Sequence, residues 1–413
     1  MNQKIAETST IREELRRGRR VIAGSFFGVA ACYASVYFYS AGLFIKPLAD
    51  TFGWSRAEAS LGPLAGVIGA IIALPFAGSL IDRFGALRVA LFSIVGFSAS
   101  LALLGLFTQN LTSYLLLIGL MTALATGSNF IPYNRIIVHN FKKARGIALG
   151  LALTGTGIGG ALVPVFMAPY IAEAGWRAAF YVLAAMALCL GLFAMVILRG
   201  TEGDAPPESG ARVALSEIVT NKAFLSISAL ICLVSTAVPG TTLHLVPMMT
   251  DRGMDVATAG AIASAFGISV MLARLVTGYL LDRWNAGIVT AVLLVLVALG
   301  MALLSSGSLL LLILGALLVG FGLGTEGDLT AYLIGRRFPV EQFGRAYSSL
   351  LAIHAAASAV GGYAAGRLYD TAHSYTLWLS LAGMALLGAA ALAFATERRA
   401  VGSIQQEPVR QAA

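Results

Sequence analysis

One arginine stands alone inside an apolar, helix-length stretch: Arg274, in the run from Ala263 to Asp282. The run closes on the polar pair Asp282-Arg283, about two helical turns further on. If the run crosses a membrane, a guanidinium at that depth costs ~2.5–3.5 kcal/mol. The chemistry that would offset this is carboxylate binding. Guanidinium offers a planar fork for two charge-assisted hydrogen bonds and stays charged at any relevant pH. Two partners fit: a carboxylate ligand in a water-accessible cavity between two helix bundles, or an acid on a neighbouring helix in a structural ion pair.

A second apolar run carries Glu326 and Asp328 at a depth comparable to Arg274. Asp328 and Tyr332 are one helical step apart and share a face, which Thr325 joins from the preceding turn. Glu326 is rotated about 200° from Asp328. The expectation is that Asp328 faces the cavity, pairing with Arg274 and releasing it, protonated, when a ligand binds. Glu326 is expected to brace Arg336 or Arg337. The plainer alternative anchors both acids at a helix end. His354, mid-run, titrates near neutrality and fits a proton site or a second anion contact, or equally a hydrogen-bonded packing residue. His244 follows the bend signal Pro239-Gly240 and is placed at the outer mouth. The N-terminal half has no acid or base inside its apolar runs. It offers Tyr33 with Tyr37, and Asn129 with Tyr133, faces that can hydrogen-bond a ligand hydroxyl or carbonyl and wall its apolar part. Each is also an ordinary packing residue. Lys46, beside Pro47 outside its run, is not assigned to a ligand.

Membrane helices must position these groups. Of 413 residues, 58% are hydrophobic and 12% charged, against about 25% charged in soluble domains. Only helices or closed barrels satisfy the backbone in lipid, and these runs are far longer than barrel strands. Twelve helices of about 20 residues are expected, beginning near Val21, Ser60, Leu87, Leu111, Gly146, Ala178, Ala223, Val256, Gly287, Ser308, Arg345 and Tyr375. With both termini cytoplasmic, 22 lysines and arginines fall inside and 5 outside, with Arg274 left in the membrane. That imbalance fixes the orientation. The basic residues are scattered over short loops, so the net charge of +8 does not indicate nucleic acid. Residues 1–20 form a cytoplasmic tail with an amphipathic piece, 21–199 and 223–397 two six-helix bundles, and 398–413 a second tail. Residues 200–222 between the bundles, with two prolines and mixed charge, read as a flexible linker. Cys32, Cys189 and Cys232 lack any metal-ligand spacing and read as small buried hydrophobes. No nucleophile elbow, P-loop or dinucleotide fingerprint occurs, so no enzyme, cofactor or ATP coupling is expected.

The halves repeat. Gly78, Asp82 and Arg83 recur as Gly278, Asp282 and Arg283, and Arg145 recurs as Arg345, each 200 residues on. Duplicated halves are the mark of carriers that rock one bundle against the other. The first copy, Gly78 through Asp82, Arg83 and Gly85 to Arg88, resembles the G-x-x-x-D-R-x-G-x-R loop of the major facilitator superfamily. Gly85 turns the chain, and the charged side chains can latch neighbouring helix ends and bias the conformational equilibrium. The stretch Gly42 to Arg56, ending Phe52-Gly53-Trp54-Ser55-Arg56, resembles one in monocarboxylate transporters, as does Asn140 to Gly150 with Lys142, Lys143 and Arg145. Gly175-Trp176-Arg177 fits the same branch. His244-Leu-Val-Pro247 and Gly327 to Tyr332 are similar to segments shared with bacterial oxalate:formate exchangers.

The resemblance implies an all-α major facilitator fold in the plasma (inner) membrane, a small organic anion and a proton as partners, and no obligatory oligomer. Arg274 is where this branch places its eighth-helix arginine. The acid that animal members carry one turn earlier is Val270 here, so proton coupling must use other groups. One core arginine and at most one histidine match a single carboxylate. That favours symport of a small monocarboxylate, such as lactate or pyruvate, with a proton. Exchange of anions such as oxalate and formate, export of lipophilic compounds, and a non-transporting membrane sensor stay open.

Overall fold

The computed structural model describes the backbone of residues 10–201, 218–338 and 340–410. Gly78 and the side chains of Asp82, Asp282, Asp328, residues 396–410 and a few other helical positions lie outside the described set. Among the described residues there is no strand. The helices are α1 (Ile11–Arg17), α2 (Arg19–Ala30), α3 (Tyr33–Val36), α4 (Ala41–Phe52), α5 (Arg56–Ala59), α6 (Gly62–Phe84), α7 (Ala86–Phe107) and α8 (Leu111–Ala125). They continue with α9 (Phe130–Asn140), α10 (Arg145–Leu198), α11 (Lys222–Thr250), α12 (Val256–Arg283), α13 (Ala286–Leu304), α14 (Leu309–Arg337), α15 (Val340–Ala372) and α16 (Thr376–Arg410).

Among the described residues, ten helices are long and apolar enough to cross a membrane, or eleven if the bent pair Arg19–Ala30 and Tyr33–Ser40 is one span. The 54-residue α10 is one of the ten, and Gly175 breaks it with φ 82° and ψ 162°, a conformation open to glycine alone. Each piece is long enough to cross. The twelve expected spans are reached only with both the bend and this break counted. The outward faces are apolar: Phe92 is 77% and Leu116 69% exposed, which suits lipid and would be an aggregation surface in water. Cys189 and Cys232 are exposed, and only Cys32 is buried, so two of the three cysteines are not the core hydrophobes expected.

The chain divides into two compact units, broadly at the linker. Unit 1 holds residues up to Gly53, Gly62–Glu208 and Asp255–Ser264; unit 2 holds Trp54–Leu61, Ser209–Met254 and the chain from Ala265. In unit 1 the largest buried side chains include Tyr133, Phe97, Phe141 and Phe180. Gly159 of α10 sits on Ser35, where an added Cβ would lie 2.6 Å from the serine Cβ. In unit 2, Gly361 of α15 sits against the Thr236 carbonyl in the same way. Gly69 of α6 meets Gly119 of α8, and Ser269 of α12 meets Gly320 of α14. The sequence repeat is thus a repeat of helix crossings, built on small residues that let backbones approach.

Loop cations expected only as orientation signals also cap helix ends. Arg20 donates to the carbonyl of Ile197 at 2.6 Å, Arg177 to Gly105 at 2.9 Å, and Arg252 to Leu304 at 2.7 Å. Each places positive charge at a helix C-terminus, where the carbonyls are unpaired. The N-terminal tail docks through α1. Glu14 accepts the backbone N–H of Lys142 at 2.7 Å and of Ala144 at 2.6 Å, capping the start of α10. Burial pushes the Glu14 carboxyl up, but these backbone donors outweigh it and hold it below the ordinary range. A carboxyl depressed in the fold stabilises docking above its unfolded value of about 4.3 and loses that contribution as pH falls below it. Glu14→Ala should weaken docking of α1 by about 0.5–2 kcal/mol, as for other lost helix caps. Hydrogen exchange of residues 11–17 and 142–146 should rise together, and unchanged protection would show that the cap does not hold the tail.

Candidate functional site

The site is built on the seam between α12 and α14 in unit 2. A Cβ on Gly320 would lie 2.6 Å from the Phe266 carbonyl, and one on Gly324 would strike the Val270 carbonyl and stand 2.7 Å from the Ala273 Cβ. Both helices advance by four residues between these contacts, so they run parallel in fixed register. One further turn brings position 328 level with Arg274. The Asp328 side chain lies outside the described residues. Arg274 is half-buried and makes no hydrogen bond or ion pair with a described residue. Val270, one turn earlier, is 2% exposed and purely packing. Because the seam leaves no room for a side chain, Gly324→Val should destabilise the protein by about 1–3 kcal/mol, as core overpacking does. Thermal unfolding of the purified variant reads this directly, and a melt equal to the parent's would refute the close approach.

Glu326 does not brace Arg336 or Arg337 through a described contact. It points into unit 2, is 4% exposed, and accepts from Ser235 of α11 through a short hydrogen bond on Oε1. The same oxygen is 2.8 Å from Nδ1 of His354 on α15, which is also 3.0 Å from the Ser235 hydroxyl. The second carboxyl oxygen, Oε2, is buried with no hydrogen-bond partner among the described residues. Thus His354, read from sequence as a lone histidine, is one member of a buried acid–imidazole–hydroxyl cluster. The rotation that separates Glu326 from Asp328 is what turns Glu326 toward α11 and α15. Ser235 gave no signal in the sequence, since a serine in an apolar helix more often bonds its own backbone.

Tyr332, expected at the ligand, instead donates its hydroxyl to the Leu281 carbonyl at 3.3 Å, with Arg336 5.9 Å above its ring. It braces the ends of α12 and α14. In the loop after α6, Gly85 adopts φ 87° and turns the chain as expected. Arg83 and Arg283 each lie over an aromatic ring of their own helix, Phe84 at 5.2 Å and Tyr279 at 4.3 Å. Neither they nor the exposed Arg88 forms an ion pair with a described residue.

In unit 1, the fourth span is broken between α8 and α9 by a 3-10 turn, Thr126–Ser128, and by extended backbone at Asn129. Asn129 Oδ1, the Tyr133 hydroxyl and Asn134 Oδ1 are buried there without a hydrogen-bond partner among the described residues. Tyr133 is fully buried over Gly28, leaving no room for a Cβ at that glycine. Tyr37 is 4% exposed and stacked 6.3 Å from the Phe180 ring, so it packs in the core. Tyr33 is half-buried, 5.8 Å from the Tyr37 ring.

A second polar cluster in unit 2 was missed as a unit by sequence reading. Arg56 is 9% exposed and bonds Asp251 through Nη2 at 2.9 and 3.1 Å. Asp370 of α15 accepts the N–H groups of Arg56 and Ala57 at 2.8 and 2.9 Å, capping α5. The Tyr369 ring lies 5.4 Å from the guanidinium. His244 belongs to the same cluster and is fully buried. Its Nε2 is 2.9 Å from the Gly362 carbonyl and 3.2 Å from the Ser60 hydroxyl, and its Nδ1 is 3.0 Å from the Tyr375 hydroxyl. A carbonyl only accepts, so Nε2 carries the proton and a neutral ring accepts from Tyr375 at Nδ1. The sequence signal was present: Arg56 ends the Phe52–Arg56 motif, and Asp251 follows the seventh span.

Comparison with known proteins then fixes the class. Monocarboxylate transporter 13 of Rattus norvegicus is 26% identical over 379 residues, which cover 90% of this chain and 86% of that protein. Monocarboxylate transporter 13 of Bos taurus is 26% identical over 266 residues, 64% of this chain and 62% of its own length, so that match spans less than two thirds of the relative. Among solved structures, a bacterial homologue of the human lysosomal transporter Spinster superposes with a TM-score of 0.69 at 17% identity, covering 92% of this chain and 97% of that one. That likeness shows the fold alone. Residues 25–349 and 225–412 match the profile of the Major Facilitator Superfamily. Repeated helix crossings on small residues, an all-helical multi-pass membrane chain and this match agree, and the chain belongs to the Major Facilitator Superfamily, a family of transporters and not enzymes.

Proposed function

We propose that this protein is a secondary carrier in the plasma (inner) membrane, both termini cytoplasmic, that moves a small monocarboxylate such as L-lactate or pyruvate with a proton by alternating access. The observation that carries the reading is Arg274, a half-buried guanidinium inside a membrane helix with no described partner. A charge in that setting needs a counter-ion, and a carboxylate is the one its fork fits. The monocarboxylate transporters among its relatives support the substrate class. Asn129 and Tyr133, whose buried oxygens have no hydrogen-bond partner among the described residues, are assigned to a substrate hydroxyl or carbonyl. Asp328, level with Arg274, is assigned as the acid that pairs with it when no substrate is bound.

Uptake of labelled L-lactate, pyruvate, oxalate and formate into proteoliposomes, with and without an inward proton gradient, tests this reading. Acid-stimulated uptake of lactate or pyruvate supports it. Counterflow of oxalate against formate without pH dependence would make the protein an exchanger, and ligand binding without flux would make it a sensor.

A further inference from the structure

We infer that the coupling proton is carried by Glu326 and enters through His354, with Ser235 as the positioning residue; the inference rests on the carrier reading above. The geometry is specific. Glu326 Oε1 is held by His354 Nδ1 at 2.8 Å and by the Ser235 hydroxyl, which fixes the carboxyl plane. His354 remains 33% exposed while Glu326 is 4% exposed. Its Nε2 makes no hydrogen bond with a described residue, so the imidazole has one ring nitrogen on the buried acid and one free to take a proton from water.

The step balances. In the empty carrier Glu326 is a carboxylate, His354 is neutral with its proton on Nδ1, and Arg274 is paired with Asp328. When a substrate carboxylate takes Arg274 from Asp328, unit 2 gains one negative charge. A proton from water adds to His354 Nε2, the Nδ1 proton passes to Glu326 Oε1, and the neutral imidazole is left as the other tautomer. One proton has entered with one carboxylate, and the sum of charges is unchanged.

The neighbours of the pair admit few rivals. Among the described residues, Glu326 is the one charged side chain within hydrogen-bond distance of His354. On α12 the mid-membrane ionisable group is Arg274, on α14 it is Asp328, and α13 carries none. On α11, Lys222 and His244 stand toward opposite ends, the latter engaged with Ser60, Gly362 and Tyr375. On α15, Arg345 precedes His354 by more than two turns, and Arg367 and Asp370 follow it by more than three.

Proteoliposomes separate the proton from the substrate. Labelled L-lactate counterflow at symmetric pH needs no net proton movement, whereas accumulation on an inward proton gradient does. The expected result for Glu326→Gln is a fall of about tenfold or more in the ratio of gradient-driven uptake to counterflow, with uptake no longer stimulated by external acid. His354→Gln should lower the same ratio. Glu326→Asp, which keeps a titratable group should the amide variant fail to fold, should retain acid stimulation. The proposal is overturned if Glu326→Gln still accumulates lactate on the gradient, if folded Glu326→Gln loses counterflow and accumulation in equal measure, or if Asp328→Asn alone uncouples. A wild type without flux of any monocarboxylate overturns the carrier reading itself, a result distinct from all of these.

Discussion

Arg274→Ala should abolish carboxylate uptake. Truncating one member of a desolvated, hydrogen-bonded charge pair costs about 2–5 kcal/mol, which is a loss of roughly thirtyfold to several-thousandfold in affinity. The half-buried setting and the missing partner argue for the upper part of that range, since no described side chain stands ready to replace the guanidinium. Arg274→Lys is the sharper variant. It keeps the charge but loses the planar fork, so a carboxylate meets a point charge instead of two parallel donors. Uptake should fall in this variant too, with the loss appearing at low substrate concentration first. Folding should be little affected, because the arginine makes no described contact that the fold depends on. Initial rates across a concentration series in proteoliposomes, beside a thermal melt of each variant, separate these effects.

The second large effect belongs to stability. Arg56→Ala should destabilise the protein by about 3–5 kcal/mol, because it breaks the part-buried Arg56–Asp251 ion pair by removing one partner. The Arg56 and Asp251 side chains are only 10% and 15% exposed, so solvent screens the pair little. The variant also removes the cation lying against Tyr369. Asp251→Ala should cost a similar amount, and the double variant less than the sum, since the two side chains share one interaction. A detergent-solubilised melt of the four proteins gives the cycle. Additive losses would show that the two residues act independently, contrary to the geometry.

Legibility of the sequence differed from level to level. The spans were readable because a membrane forces long apolar runs, and observed starts such as Leu111 and Val256 coincide with the expected ones. The break at Gly175 falls where the expected fifth and sixth spans meet, just before the expected start near Ala178. Arg274 stood out because an isolated charge in such a run is rare. Its lack of a partner did not show, because sequence does not say which helices adjoin. The same blindness explains the acids. Helical rotation turns Glu326 and Asp328 to different directions, but that Glu326 meets His354 depends on the positions of α11 and α15. Tyr332 shared a face with Asp328, yet lies far enough along α14 to reach the Leu281 carbonyl. The Arg56 cluster joins residues distant in sequence, Arg56, Asp251 and Asp370, that no periodicity links.

The central claim, that the Arg274 guanidinium is the carboxylate's anchor, is tested most directly by equilibrium binding to purified protein. Titration of L-lactate and of the uncharged lactamide into wild type and into Arg274→Lys, followed by calorimetry, isolates the contact from proton coupling and from transport. The account predicts that wild type binds lactate and not lactamide, and that the lysine variant binds lactate at least about tenfold more weakly. Equal lactate affinity in the two proteins, or equal binding of acid and amide by wild type, would contradict it.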